Sequence, residues 1–109
     1  MSIALPPAID LYLKAENSGD LEVLAECFTP SAVVRDENHT HRGLAAIRKW
    51  KAETKVKYQH TVEPLGATEG AGRTVVKVKL AGTFPGSPIT LDFEFRLEHG
   101  KIASLEIRP

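Results

Sequence analysis

The chain has no excess of charge of either sign: 14 basic and 14 acidic side chains cancel to a formal net charge of zero. Binding a polyphosphate or an anionic membrane surface draws on clustered Lys and Arg. The balance therefore argues against nucleic acid and against membranes as partners. Long hydrophobic runs are missing too. Nothing approaches the ~20 apolar residues of a membrane-spanning helix, and Met1-Ser2-Ile3-Ala4-Leu5-Pro6-Pro7 lacks the basic and long apolar regions of an export signal. The expected location is the cytoplasm. Cysteine is limited to Cys27, which excludes an internal disulfide. Beside Leu24 and Phe28 it reads as a small buried hydrophobe, with no basic neighbour to activate it as a nucleophile. There is no internal repeat and no low-complexity segment.

What is present is the composition of a folded protein. Its 109 residues are 42% hydrophobic and 26% charged, far from the corner where chains stay disordered. One domain spanning residues 1–109 is expected. At this size folding hides roughly two-thirds of the unfolded chain's surface, enough for a core with one small pocket.

Pro6-Pro7 can open a helix, and Ile9, Tyr12, Leu13 and Glu16 repeat at helical spacing until Asn17-Ser18-Gly19, which predicts a helix over 7–17. Asp20 is a suitable N-cap for a second helix with Leu21, Leu24, Ala25 and Phe28 as its apolar stripe, ended by Thr29-Pro30. A short strand over 32–36, a turn at Glu37-Asn38-His39 and an extended piece to Arg42 follow. Gly43 opens a third helix to about Lys55, with Leu44, Ile47, Trp50 and Thr54 on its packed face and Arg48, Lys49, Lys51 and Glu53 on the others.

From Val56 the period changes to two. Strands are expected from Lys57 to about Glu69, from Thr74 to Phe84 and from Ile89 to Leu97, the last alternating strictly between apolar and polar residues. Pro85-Gly86-Ser87-Pro88 reads as a rigid connection at a pocket rim or a dimer contact. With Glu98-His99-Gly100 as a three-residue loop, Phe95 faces Ala103, Phe93 faces Leu105 and Leu91 faces Ile107; a two-residue loop sets Phe93 against Glu106. Helices followed by strands predict an α+β architecture, a curved sheet over the apolar stripes of three helices. The sheet's other face carries Lys77, Lys79, Asp92, Glu94, Arg96, Glu106 and Arg108. It is either solvated, with cross-strand ion pairs, or a polar dimer interface.

Tyr12 ahead of Gly19-Asp20, Phe28-Thr29-Pro30 leading to Ala32-Val33-Val34-Arg35-Asp36, the segment His41-Arg42-Gly43-Leu44-Ala45-Ala46-Ile47-Arg48-Lys49-Trp50, and the closing Phe95–Ile102 together resemble the nuclear transport factor 2-like superfamily, nearest its SnoaL-like and ketosteroid-isomerase-like branch. The resemblance implies a cone-shaped α+β barrel: a curved, mixed, mostly antiparallel sheet wrapped around three helices, with a deep pocket and often a homodimeric assembly. It places Tyr12 where ketosteroid isomerases hold the substrate oxygen and Asp36 where they move the proton. Their second oxyanion donor falls at Phe93, so this chain lacks it. Such donors are worth about 2.7 to 4 kcal/mol each, which speaks against ketosteroid isomerisation itself.

Tyr12 and Asp36 form a candidate acid–base pair; the alternative is a core tyrosine and a turn-forming aspartate. Trp50, Tyr58, His60, Phe93 and Phe95 are the candidate substrate-binding residues, with Tyr58, His60 and Val62 sharing one strand face. His60 could equally be satisfied by a carbonyl, and Trp50 could simply pack helix three on the sheet. His39 and His41, with Asp36 or Glu37, could in principle supply metal ligands, but exposed loop histidines or a proton shuttle explain them as well; no metal and no cofactor is expected. Arg48 is free to pair with an acidic residue or a ligand carboxylate. Two functions remain open. One is a pocket enzyme of isomerase, cyclase or hydrolase type acting on an apolar carbonyl or cyclic substrate. The other is a noncatalytic homodimeric binding or interaction module.

Overall fold

Pro7 begins the first helix of the computed structural model, which describes residues 4–109. The Met1–Ile3 part of the leader reading lies outside the described residues. This helix, α1, covers Pro7–Ser18 and stops where Gly19 turns left-handed (φ 76°), its N–H donating to the Ala15 carbonyl across 2.8 Å. After it come α2 (Leu24–Cys27), β1 (Phe28–Asp36), β2 (His39–Arg42), α3 (Gly43–Tyr58), β3 (Thr61–Gly70), β4 (Arg73–Ala81), β5 (Ile89–Glu98) and β6 (Lys101–Arg108). Among the described residues no helix is long and apolar enough to cross a membrane.

The second helix is shorter than its apolar stripe suggests. Asp20 Oδ1 accepts the Glu22 N–H at 2.9 Å and so closes a turn, and only Leu24–Cys27 is α-helical. Phe28 has already left for extended backbone, because it pairs with Ile102 of β6 and sets its ring edge-on to Tyr12 at 5.4 Å. Tertiary partners here outweigh a local helical pattern.

α3 is longer than expected. It runs to Tyr58 and ends on left-handed Gln59, with Lys55 and Lys57 in its last turn, where the helix dipole favours cations. The strand expected from Lys57 therefore starts at Thr61. Tyr58 and His60 do not share a strand face: Tyr58 closes a helix, and His60 lies in the link to β3.

The six strands form one mixed sheet in the order β2-β1-β6-β5-β4-β3, with β1 and β6 parallel and the other pairs antiparallel. Its two edges, β2 and β3, do not meet, so the cone is open. Val76 and Val78, Phe93 and Phe95, Ile102 and Leu105, and Ala32 and Val34 form one buried cluster with Ile9, Tyr12 and Leu13 of α1 and Ile47 and Trp50 of α3. Outside, Glu94 pairs with Arg108 (2.9 Å) and Arg73 (3.3 Å), and Lys77 pairs with Asp92 (3.2 Å).

The last hairpin corrects the expected register. Glu98 pairs with Lys101, so the loop is two residues, His99-Gly100, both with positive φ (51° and 79°), as a tight hairpin turn requires. An irregularity between Arg96 and Leu97 then shifts the pairing, which sets Phe95 against Leu105 and Phe93 against Ile107. The bulge restores the apolar pairing that a two-residue loop alone would have broken.

β4 ends at Ala81 because the chain must pass beneath the end of α3. A Cβ on Gly82 would lie 2.6 Å from the Tyr58 carbonyl oxygen. Thr83 N–H donates to that same oxygen at 2.7 Å, tying the loop to the helix.

Candidate functional site

A cavity of about 600 Å³ opens between α3 and the sheet. Leu91 and Phe93 of β5 and Ile107 of β6 supply its apolar wall, Asp36 stands at the end of β1, and Trp50 and Lys51 reach it from α3. Ile89, an exposed apolar residue of β5, lies on this cavity as well.

At its inner end sits a buried polar cluster centred on Glu16. Tyr12, Glu16, Lys51 and His60 are 0, 3, 7 and 4% exposed. Glu16 Oε2 accepts the Tyr12 hydroxyl, and Oε1 accepts the Lys51 ammonium and bonds His60 Nε2 at 2.6 Å. An ionised carboxylate only accepts, so Nε2 carries the proton and donates. His60 Nδ1 is buried without a hydrogen-bond partner among the described residues. Burial alone would raise the Glu16 pKa, but the Lys51 ammonium and the His60 bond outweigh it and bring it from 4.5 down to about 2. Burial, and then the Glu16 charge, push the Tyr12 phenol well above its usual range.

Asp36 is half-buried and has a different partner. The Trp50 indole N–H donates to its Oδ2 at 3.1 Å. The His41 ring stacks on Trp50 with centroids 5.5 Å apart, and the Lys51 Nζ lies 4.1 Å from the indole centroid. Burial raises the Asp36 pKa, against the opposing effect of the Trp50 bond. The Glu37-Asn38 turn is made by their own positive φ angles, 52° and 65°. The Asp36 carboxylate is thus directed to Trp50.

Of the residues expected at the site, Asp36, Trp50, Tyr58, His60 and Phe93 line the cavity. Tyr12 and Phe95 do not. The Tyr12 hydroxyl is spent on Glu16, and Phe95 is wholly buried, its ring 5.9 Å from that of Tyr12. Tyr12 therefore acts on the site only through Glu16. His39 is exposed, and among the described residues no three His, Cys, Asp or Glu side chains could hold a metal together. Arg48 pairs with Glu22 at 3.0 Å on the surface. Cys27 is buried, and burial pushes its thiol up to about 11.

Sequence reasoning missed Glu16 and Lys51 as site residues. Glu16 did leave a signal, a carboxylate in phase with Ile9, Tyr12 and Leu13 on the buried face of α1. Lys51 left none: it belongs by pattern to the polar face of α3, and only the position of Glu16 explains its burial.

A model of the SnoaL-like domain family matches residues 9–105. A Sinorhizobium meliloti protein whose provisional assignment is polyketide cyclase has 39% sequence identity, with 95% of each chain covered and a TM-score of 0.92. SalBIII, an epoxide hydrolase/cyclase-like enzyme in pyran ring formation in the polyether salinomycin, has 25% identity over 94% of this chain and 87% of its own, with a TM-score of 0.79. A Catenulispora acidiphila protein with a ketosteroid isomerase-like fold has 18% identity over 97% of this chain and 87% of its own at a TM-score of 0.84, a likeness of fold alone. No curated protein matches the chain. The family model covers most of the chain and the 39% identical protein covers 95% of it, and the chain belongs to the SnoaL-like domain family.

Proposed function

We propose that this protein is a cytoplasmic acid–base enzyme of isomerase, cyclase or hydrolase type, acting on a small apolar carbonyl or cyclic substrate, with Asp36 as its proton-transfer group. The observation that carries this reading is the placement of the Asp36 carboxylate. It is half-buried on the wall of a cavity that Leu91, Phe93 and Ile107 also line, and its Oδ2 is held by Trp50. A carboxylate raised above its usual range is a better base while ionised and a usable acid once protonated. The bond from Trp50 fixes its direction, and Leu91, Phe93 and Ile107 offer an apolar surface to a substrate ring or chain. The cyclase and hydrolase descriptions of two relatives support the reaction class. The test is exchange of α-protons of small cyclic ketones in deuterated buffer. Asp36→Asn should fold and bind as before and lose exchange; unchanged exchange would remove Asp36 from this role.

One observation favours a second reading, a noncatalytic homodimeric binding module: the Tyr12 phenol, the donor implied by family resemblance, is occupied by Glu16. That module would bind apolar ligands, exchange no protons with any ketone, and sediment at twice the 11.9 kDa of one chain.

A further inference from the structure

An ammonium group has three N–H donors and no acceptor. Lys51 is 7% exposed, yet among the described residues its Nζ finds one hydrogen-bond acceptor, Glu16 Oε1. Beyond that bond and the Trp50 ring face 4.1 Å away, the ammonium has no hydrogen-bond acceptor among the described residues, on a residue that lines the cavity. The ammonium is also held in place. Glu16 is itself fixed by Tyr12 and His60, and the Lys51 Nζ lies near the Trp50 ring, whose N–H holds Asp36. Base and cation thus flank one indole.

We propose that Lys51 is the electrophilic residue of the site, donating to the substrate oxygen on which negative charge develops as Asp36 takes a proton. This rests on the acid–base reading of Asp36. The α C–H bond breaks, and its proton goes to the Asp36 carboxylate. Its electron pair becomes the C=C bond of an enolate, while the carbonyl π pair becomes a lone pair on the oxygen facing Lys51. Lys51 keeps its proton throughout, and Asp36 returns its own when the enolate collapses. The ligand class follows: carbonyl compounds that enolise, and stable anions of like shape, phenolates above all. A preorganised donor in a water-poor site acts most strongly on charge that appears in the transition state. Glu16 is a positioning residue, acting through the Lys51 ammonium.

The test uses 4-nitrophenol, whose absorbance reports its ionisation, with Asp36→Asn standing in for the protonated aspartic acid. The bound probe should be phenolate, favoured over phenol at least about tenfold more than in water, which is about one unit in its apparent pKa. The Lys51 Nζ resonance of ¹⁵N-lysine-labelled protein should shift on binding. In the charge-neutral double variant Glu16→Gln/Lys51→Met the preference should vanish, and ketone exchange should fall about 10²- to 10³-fold. A probe bound as neutral phenol, no binding, or an unmoved Lys51 resonance overturns the proposal, whether or not the double variant folds. The readout is ionisation rather than turnover, so failed exchange alongside phenolate binding would refute the acid–base reading and leave the Lys51 site supported.

Discussion

The Trp50 indole N–H donates to Asp36 Oδ2 across 3.1 Å, joining the middle of α3 to the end of β1. Two neighbours of one indole, Asp36 at its N–H and Lys51 4.1 Å from its centroid, are the oppositely charged groups on which the proposed chemistry depends.

Removing that N–H should make Asp36 a weaker acid. The Trp50 bond lowers the Asp36 pKa against the dominant effect of burial, so Trp50→Phe should raise it further. A hydrogen bond to a charged group is worth about 1.5–3 kcal/mol. Base-dependent exchange should then reach half its maximum at a higher pH than in the wild type. An NMR titration of the Asp36 carboxyl carbon checks the same shift without turnover, and a fall in its midpoint would contradict the assignment.

Glu16 should dominate acid stability. Its folded-state pKa of about 2 lies below the usual 4.5, so its contribution is fully present above pH 4.5 and is lost as pH falls towards 2. Asp36, with a raised pKa, acts in the opposite direction. Urea unfolding of the wild type should therefore show stability falling across this window, and Glu16→Gln should remove that part of the slope. At neutral pH Glu16→Gln leaves Lys51 buried without its counter-charge and should cost about 3–5 kcal/mol.

Tyr12→Phe separates two roles for the phenol. The ring stays to pack on Phe28 and Phe95, while Glu16 Oε2 loses its donor. The expected loss is about 1.5–3 kcal/mol of stability, with ketone KM unchanged, since the hydroxyl does not reach the cavity wall. A large rise in KM in a stable variant would show the phenol touching substrate.

Gly82→Ala should destabilise through contact alone. The new Cβ would meet the Tyr58 carbonyl oxygen at 2.6 Å, a backbone atom that cannot swing aside. Overpacking of this kind costs about 1–3 kcal/mol, readable as a lower urea midpoint. The same displacement moves Tyr58 on the cavity wall and should weaken ligand binding.

Strict alternation from Ile89 to Leu97, the caps at Pro7 and Gly19, and the apolar face of α3 were legible in the amino-acid order, because each depends on neighbours within a few residues. So was Asp36 as a cavity residue, though only by family resemblance. Where Phe28 turns from helix to strand, where α3 ends and how the last hairpin bulges depended on partners distant in the chain: Ile102 for Phe28, the Gly82–Thr83 passage beneath α3, and the apolar pairing of Phe93 with Ile107. The buried cluster of Tyr12, Glu16, Lys51 and His60 was least legible. Local pattern alone thus determined an α+β chain with a one-sided sheet and a carboxylate at the end of its first strand. That a lysine of α3 is buried against Glu16 and lines the cavity was decided only when α1, α3 and the link to β3 packed together. A buried ammonium is tolerable only beside its counter-ion, and Glu16 lies on a different helix.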